Sequence, residues 1–186
     1  MKLPNTCFSL TLCALLLAFS PSFAQTWGDK LSDAAIERTT HKVIYDGRYI
    51  ELSYPGGDVP DSIGVCTDVV IRAYRNALST DLQKLIHEDM VANFSAYPSN
   101  RIWGHTRAYS SIDHRRTQNM ECFLTRKGAK LPNSDDPADY KAGDLVFYAD
   151  IASGHVGIVT NKEAEDGTPM VVHNIGGGTE LVNFLF

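Results

Sequence analysis

The sequence has no surplus of basic residues: 17 Lys and Arg stand against 22 Asp and Glu, a formal charge of −5 at pH 7. Without a basic face there is no electrostatic footprint for nucleic acid, and none is expected as a partner. The 6 histidines and 4 cysteines fall into neither HExxH nor CxxC spacing, so no metal site and no cofactor are expected. Internal repeats and low-complexity linkers are missing too. Residues 25–186 therefore read as one domain, long enough for a real core. After the first 24 residues no apolar run is long enough to cross a bilayer, which leaves a monomer with no stable membrane anchor as the expectation.

What is present begins with a leader. Lys2, the apolar run from Leu10 to Phe19 and the small-x-small triplet Ser22-Phe23-Ala24 have the anatomy of a secretory signal peptide over residues 1–24. Cleavage after Ala24 would deliver the chain to the bacterial periplasm. Bulky Leu12 before Cys13 argues against lipidation there. Cys7 and Cys13 leave with the leader, so Cys66 and Cys122 remain. Two cysteines in an oxidising compartment invite a disulfide. Cys122, inside a helical apolar stripe, reads instead as a buried thiol.

Periodicity divides the rest in two. Helices are expected over residues 31–40, 66–78, 81–93 and 118–127, the third capped by Thr80 or Asp81 and the last stopped by Gly128. Residues 49–54 alternate like a strand, and residues 97–107 are turn-rich and aromatic. After the polar loop at 132–137 come compact strand patterns at 144–148, 155–160 and 170–174. Helices followed by a meander of short strands point to an α+β domain, N-terminal helices packed on a small antiparallel sheet. The apolar end at Phe184-Leu185-Phe186 fits a domain that lacks its last strand.

The chemistry centres on Cys66. It follows Gly64-Val65 and opens an amphipathic helix. Oriented N–H groups at a helix N-terminus lower a thiol's pKa and make it a nucleophile, whereas Asp68, within a turn, pushes the other way. A nucleophilic thiol needs a base, and the base needs an orienting partner. His155, opening a strand after Gly154, is the candidate base. His173 on the next strand, or Asn174 beside it, is the candidate partner, because neighbouring residues of a strand face opposite sides. Asp113-His114-Arg115-Arg116 reads either as a solvated charged turn or as a grip for anionic substrate, since paired arginines hold carboxylates through bidentate hydrogen bonds. Gly176-Gly177-Gly178 lacks a following Lys-Ser/Thr helix and is a turn, not a phosphate loop.

The order Tyr54-Pro-Gly-Gly, Cys66 at a helix start, Gly143-Asp144-Leu145-Val146-Phe147, Gly154-His155-Val156-Gly157-Ile158-Val159 and Val172-His173 resembles the NlpC-type cell-wall cysteine peptidases of the papain-like superfamily. More closely, CTDVVIRAYR, IDHRRTQNM and HNIGGG resemble a YijF-like family of secreted bacterial proteins of unassigned function. The NlpC-type resemblance implies a papain-like fold. It also implies Cys66 as nucleophile, His155 as base, His173 as its orienting partner and Tyr54 as part of the oxyanion hole. The implied function is a cysteine peptidase or amidase that cleaves an amide or isopeptide bond in peptidoglycan stem peptides. Asp113, His114, Arg115, Arg116 and Asn174 would then contact substrate. The chain departs from the NlpC-type Asp-Cys-Ser-Gly with Val65-Cys66-Thr67-Asp68, and the stretch from Asp81 to Tyr140 is a long insertion. The resemblance thus carries fold and triad further than substrate. The alternatives are acyl transfer at the same thiol, or a non-catalytic module that binds cell wall or protein on the same fold.

Overall fold

A computed structural model describes residues 25–151 and 153–186. The expected leader lies outside the described residues. The helices are α1 (Trp27–Arg38), α2 (Cys66–Leu78), α3 (Leu82–Asn93), α4 (Ser99–Trp103) and α5 (Thr117–Arg126). Strands β1 (Ile44–Tyr45) and β2 (Ile63–Gly64) pair in parallel. Strands β3 (Leu145–Tyr148), β4 (His155–Glu163), β5 (Pro169–His173) and β6 (Glu180–Val182) form an antiparallel sheet in sequence order. This is the α+β arrangement with a small antiparallel sheet that the pattern of periods predicts.

Helix α2 is the central element. Its first eight residues, Cys66 to Ala73, are all buried, with Val70, Ile71 and Ala73 fully enclosed. One side lies on α1 through Leu31, Ala34 and Ala35; another meets the sheet through Val156, Ile158 and Val172. A helix sealed on so many sides is held by packing more than by its own propensity. Val65 offers no capping side chain at its start; Asp68 accepts the Val65 N–H at 2.8 Å instead. Ser79, with φ of 51°, closes its other end.

Side-chain alternation gives the sheet two different faces. Val156, Ile158 and Val172 face the helices, whereas Val159 and Val171 face a smaller cluster with Leu185, flanked by Tyr140 and Val146. Gly143 turns the chain into β3 at φ +91°, and a side chain there would lie 2.6 Å from the Gly28 Cα of α1. The glycine of the Gly143-Asp144 motif is therefore a point of backbone contact between sheet and helix.

Two expectations change. Residues 49–54 form no strand, because no partner lies alongside. Their backbone is satisfied by side chains: Ser111 Oγ accepts the Leu52 N–H at 3.0 Å, and Gln83 Nε2 donates to Ser53 O at 2.9 Å. The Asp113–Arg115 turn is not solvated; Asp113, His114 and Arg115 are all buried, because each finds internal packing or pairing. The β6 strand extends the expected meander by one. Among the described residues no helix is long and apolar enough to cross a membrane. Replacing Gly28 by Ala should cost about 1–3 kcal/mol by overpacking, because its Cβ would sit 2.1 Å from the Ala142 carbonyl oxygen; a urea melt with an unchanged midpoint would refute that packing account.

Candidate functional site

Cys66 lies at the floor of an open recess of about 280 Å³, walled by Tyr45, Trp103, Arg115, Arg116 and Gln118. The thiol is buried and free, as is the half-buried Cys122, so the two do not form the disulfide considered from composition. Sγ lies 3.8 Å from Thr117 Oγ1. Burial pushes the thiol pKa up, while hydrogen bonds from the Thr117 hydroxyl and the Val156 and Thr67 amides pull it down. Asp68 adds a smaller upward push.

Asp68 does less than its proximity suggests because it is already paired. Its two carboxylate oxygens accept from Arg115 Nε and Nη2, each at 2.9 Å, in a pair whose side chains are 2–3% exposed. Arg115 also donates to the Arg48 and Asp46 carbonyls. Its guanidinium is consumed structurally and is not free for substrate. Asp113 accepts from the Tyr109 amide at 2.6 Å and bonds His87 Nδ1 at 3.1 Å. His114 is enclosed, and burial lowers its pKa to about 3. Of the four residues 113–116, Arg116 alone keeps an unpaired guanidinium at the recess.

The histidines form their own pair. His155 Nε2 lies 2.7 Å from His173 Nδ1, and both rings are buried. Tyr148 and Phe184 pack on them, and the Tyr148 hydroxyl donates to the Phe184 carbonyl. Glu180 Oε1, 3.8 Å from His173 Nε2, extends the line and favours the charged ring, against the dominant effect of burial, which lowers the His173 pKa. Burial and the neighbouring His173 lower the His155 pKa to about 4, so the ring is neutral at pH 7. Asn174 turns the other way, its Nδ2 donating to Gly64 O at 3.3 Å just before α2.

Cys66 and His155 meet through backbone. The Val156 amide, next after His155, points at Sγ, and Gly154, just before it, lines the same recess. The His155 ring, however, shares the sheet face of Tyr148 and His173, and no hydrogen bond among the described residues joins it to Sγ. The structure thus brings His155 to His173, and Cys66 to Thr117.

Tyr54 is not at the recess. It is an exposed side chain whose ring meets His87 edge-on at 5.0 Å. The recess tyrosine is Tyr45, which β1 pairs directly opposite Gly64, two residues before the thiol. Burial and the neighbouring Cys66 raise the pKa of its phenol, so it stays a hydrogen-bond donor at pH 7. No local motif marks Tyr45; only the parallel β1–β2 pairing reveals it. Thr117, Gln118 and Glu180 are equally silent in the sequence.

A second, larger cavity of about 670 Å³ runs along α4 and α5 over Cys122, and Gln118 lines both spaces. It contains neither Cys66 nor the histidine pair; the smaller recess contains Cys66 but not the histidine rings.

The site and fold define an α+β domain with a thiol on the first residue of a central helix, in an open recess, and a histidine pair on the adjoining sheet. The chain belongs to the family described as "Domain of unknown function (DUF1287)", whose model matches residues 32–186. It is 43% identical over 192 aligned residues to "Uncharacterized protein YijF" of Escherichia coli (strain K12), covering 96% of this chain and 92% of that protein. No solved structure matches.

Neutral burial of His114 and His155 carries a pH consequence. Both folded pKa values, about 3 and about 4, lie below the ordinary 6.5. Between these limits the unfolded chain binds protons that the folded chain refuses, so stability falls as pH drops from 6.5 towards 3. Urea midpoints measured across that window should decline, and His114→Leu should flatten the slope. An equally steep slope in that variant would remove His114 from the account.

Proposed function

We propose that this protein is a secreted thiol hydrolase that cleaves an amide or isopeptide bond, with peptidoglycan stem peptides as the substrate class, on a papain-like fold of the NlpC type. The observation that carries the reading is the placement of Cys66: first residue of α2, at the floor of an open recess, with the Val156 and Thr67 amides and the Thr117 hydroxyl directed at its sulfur. A purely packing cysteine has no need of an open recess or of three polar neighbours. The leader pattern in residues 1–24 supports a periplasmic location.

In this mechanism Cys66 Sγ attacks the substrate carbonyl carbon while His155 takes the thiol proton. The proton passes to the leaving amine, the thioester forms, and water then releases the acid. His155, neutral at pH 7, is in the protonation state that a base requires. His173 orients it and Glu180 backs His173. The reading requires the His155 side chain, at the first position of β4 after Gly154, to turn its ring to the recess side when substrate enters; such contacts are often loose without substrate. The Cys66 amide and the Tyr45 hydroxyl, in place of the Tyr54 hydroxyl, would face the oxyanion, each good donor contributing roughly 3–4 kcal/mol.

A second reading has its own support. The thiol is pushed up by burial and hydrogen-bonded to Thr117, and the histidine rings lie on the other sheet face. Those features suit a non-catalytic module that binds cell wall or protein through the recess. Iodoacetamide alkylation separates the two. In Cys122→Ser protein, His155→Ala should slow alkylation of Cys66 at pH 7 by at least about tenfold if the imidazole assists proton removal. Cys66→Ala should also abolish peptide release from purified peptidoglycan. Equal alkylation rates with and without the imidazole would end the hydrolase reading and leave the binding module.

A further inference from the structure

Three arginines packed around α2 have an acid partner, as does the exposed Arg126 of α5, whereas buried Arg38 at the end of α1 bonds His41 and has none among the described residues. Arg72 pairs with Asp58, Arg75 with Asp81, Arg115 with Asp68 and Arg126 with Asp89. Arg116 has none among the described residues. Asp113, three residues back, gives Oδ2 to His87 and the Tyr109 amide and keeps a buried Oδ1 without a hydrogen bond; its charge favours the Arg116 cation but forms no ion pair with it. The Arg116 guanidinium lies over the Trp103 ring, with Cζ 3.8 Å from the centroid, and Nη2 is 3.4 Å from His105 Nε2. Nη1 is buried with no hydrogen-bond partner. A guanidinium N–H sealed from water without an acceptor costs stability unless a ligand supplies the missing hydrogen bond. The aromatic face fixes the plane of the fork and compensates only part of that loss.

The position is as telling as the missing partner. Arg116, Thr117 and Gln118 are consecutive at the start of α5, and all three line the Cys66 recess. Thr117 places its hydroxyl 3.8 Å from Sγ. Gln118 holds its amide nitrogen on Ser153 O at 3.1 Å and leaves a buried, unpaired Oε1 acceptor. One side of the thiol contact therefore carries an unpaired cationic donor, and the other an unpaired neutral acceptor. An arginine fork held flat matches a carboxylate by two parallel hydrogen bonds; a lone amide oxygen matches an N–H.

We propose that Arg116, seated on Trp103 beside the Cys66 thiol, is a carboxylate-binding subsite, so that the recess takes an amide or peptide bearing a free carboxylate close to the carbonyl presented to Cys66, with Gln118 Oε1 accepting an adjacent N–H. As a substrate subsite it rests on the hydrolase reading; as a carboxylate site it does not.

The test compares two alkylating probes of equal size, anionic iodoacetate and neutral iodoacetamide, on Cys66 in Cys122→Ser protein. With either probe the thiolate attacks the methylene carbon, the C–S bond forms as the C–I bond breaks, and iodide departs with the electron pair. The ratio of the two rates cancels the thiolate fraction and the recess's general accessibility. Arg116→Gln should lower the iodoacetate-to-iodoacetamide ratio about tenfold, the equivalent of one charge-assisted contact, and Arg116→Lys should lower it less, because the charge stays while the flat fork is lost. In the Cys122→Ser protein with Arg116 intact, added NaCl should lower the ratio, because salt screens the attraction. A ratio that Arg116→Gln leaves unchanged, or that does not fall with salt, overturns the proposal. If His155→Ala leaves alkylation unaffected while Arg116→Gln lowers the ratio, the hydrolase reading fails and the carboxylate site stands.

Discussion

The buried pair between Asp68 and Arg115 is the constraint on which the recess depends. Asp68 faces two ways: it accepts the Val65 N–H that opens α2, and it takes both forks of Arg115 from the turn before α5. Thr67 Oγ1 donates to the Arg115 carbonyl at 3.0 Å beside it. These contacts tie the start of α2 to the start of α5, so Cys66 meets Thr117 and the recess has Arg116 and Gln118 on its wall. A buried ion pair brings little net stability over a well-packed apolar one, but losing one partner costs about 3–5 kcal/mol, because the other charge is stranded. The pair's value here is positional: it fixes which side chains meet at the thiol.

The same pair revises the electrostatics of the Cys66 thiol. An isolated carboxylate within a turn of Cys66 would oppose thiolate formation. With Arg115 bound to it, the dominant upward effect on the thiol is burial, and the Thr117 hydroxyl and two amides act against it. On the sheet, burial moves the pKa the other way and holds His155 as a neutral ring. Thiol and imidazole are both uncharged at pH 7. Under the proposed hydrolase reaction, such a recess would be primed by substrate entry and not by a standing thiolate–imidazolium pair.

Much of the fold was legible along the chain. Helix α2 begins and ends where the spacing of Val69, Val70, Ala73 and Ala77 predicts, and α3 starts after the Asp81 cap. The strands β3, β4 and β5 appear where short runs rich in Val and Ile fall between turns. Residues 49–54 alternate like a strand yet form none, because alternation shows what a strand would bury and not whether a partner lies beside it. The 113–116 cluster has the composition of a solvated turn, but internal partners 26 and 47 residues away, His87 and Asp68, draw two of its charges inside.

By itself the sequence determined the local elements, the α+β class and the cysteine that heads α2, because each depends on neighbours within a few turns of chain. It also placed His155 and His173 on adjacent antiparallel strands, close enough for their rings to bond. Tertiary structure decided the rest. It chose Tyr45 over Tyr54 through the pairing of β1 with β2, sent Asn174 to Gly64, and turned the histidine rings to the sheet face away from the helices. It gave Arg115 a carboxylate and left Arg116 without one. These outcomes turn on which distant groups share a few ångströms of space, and spacing along one chain holds no record of that.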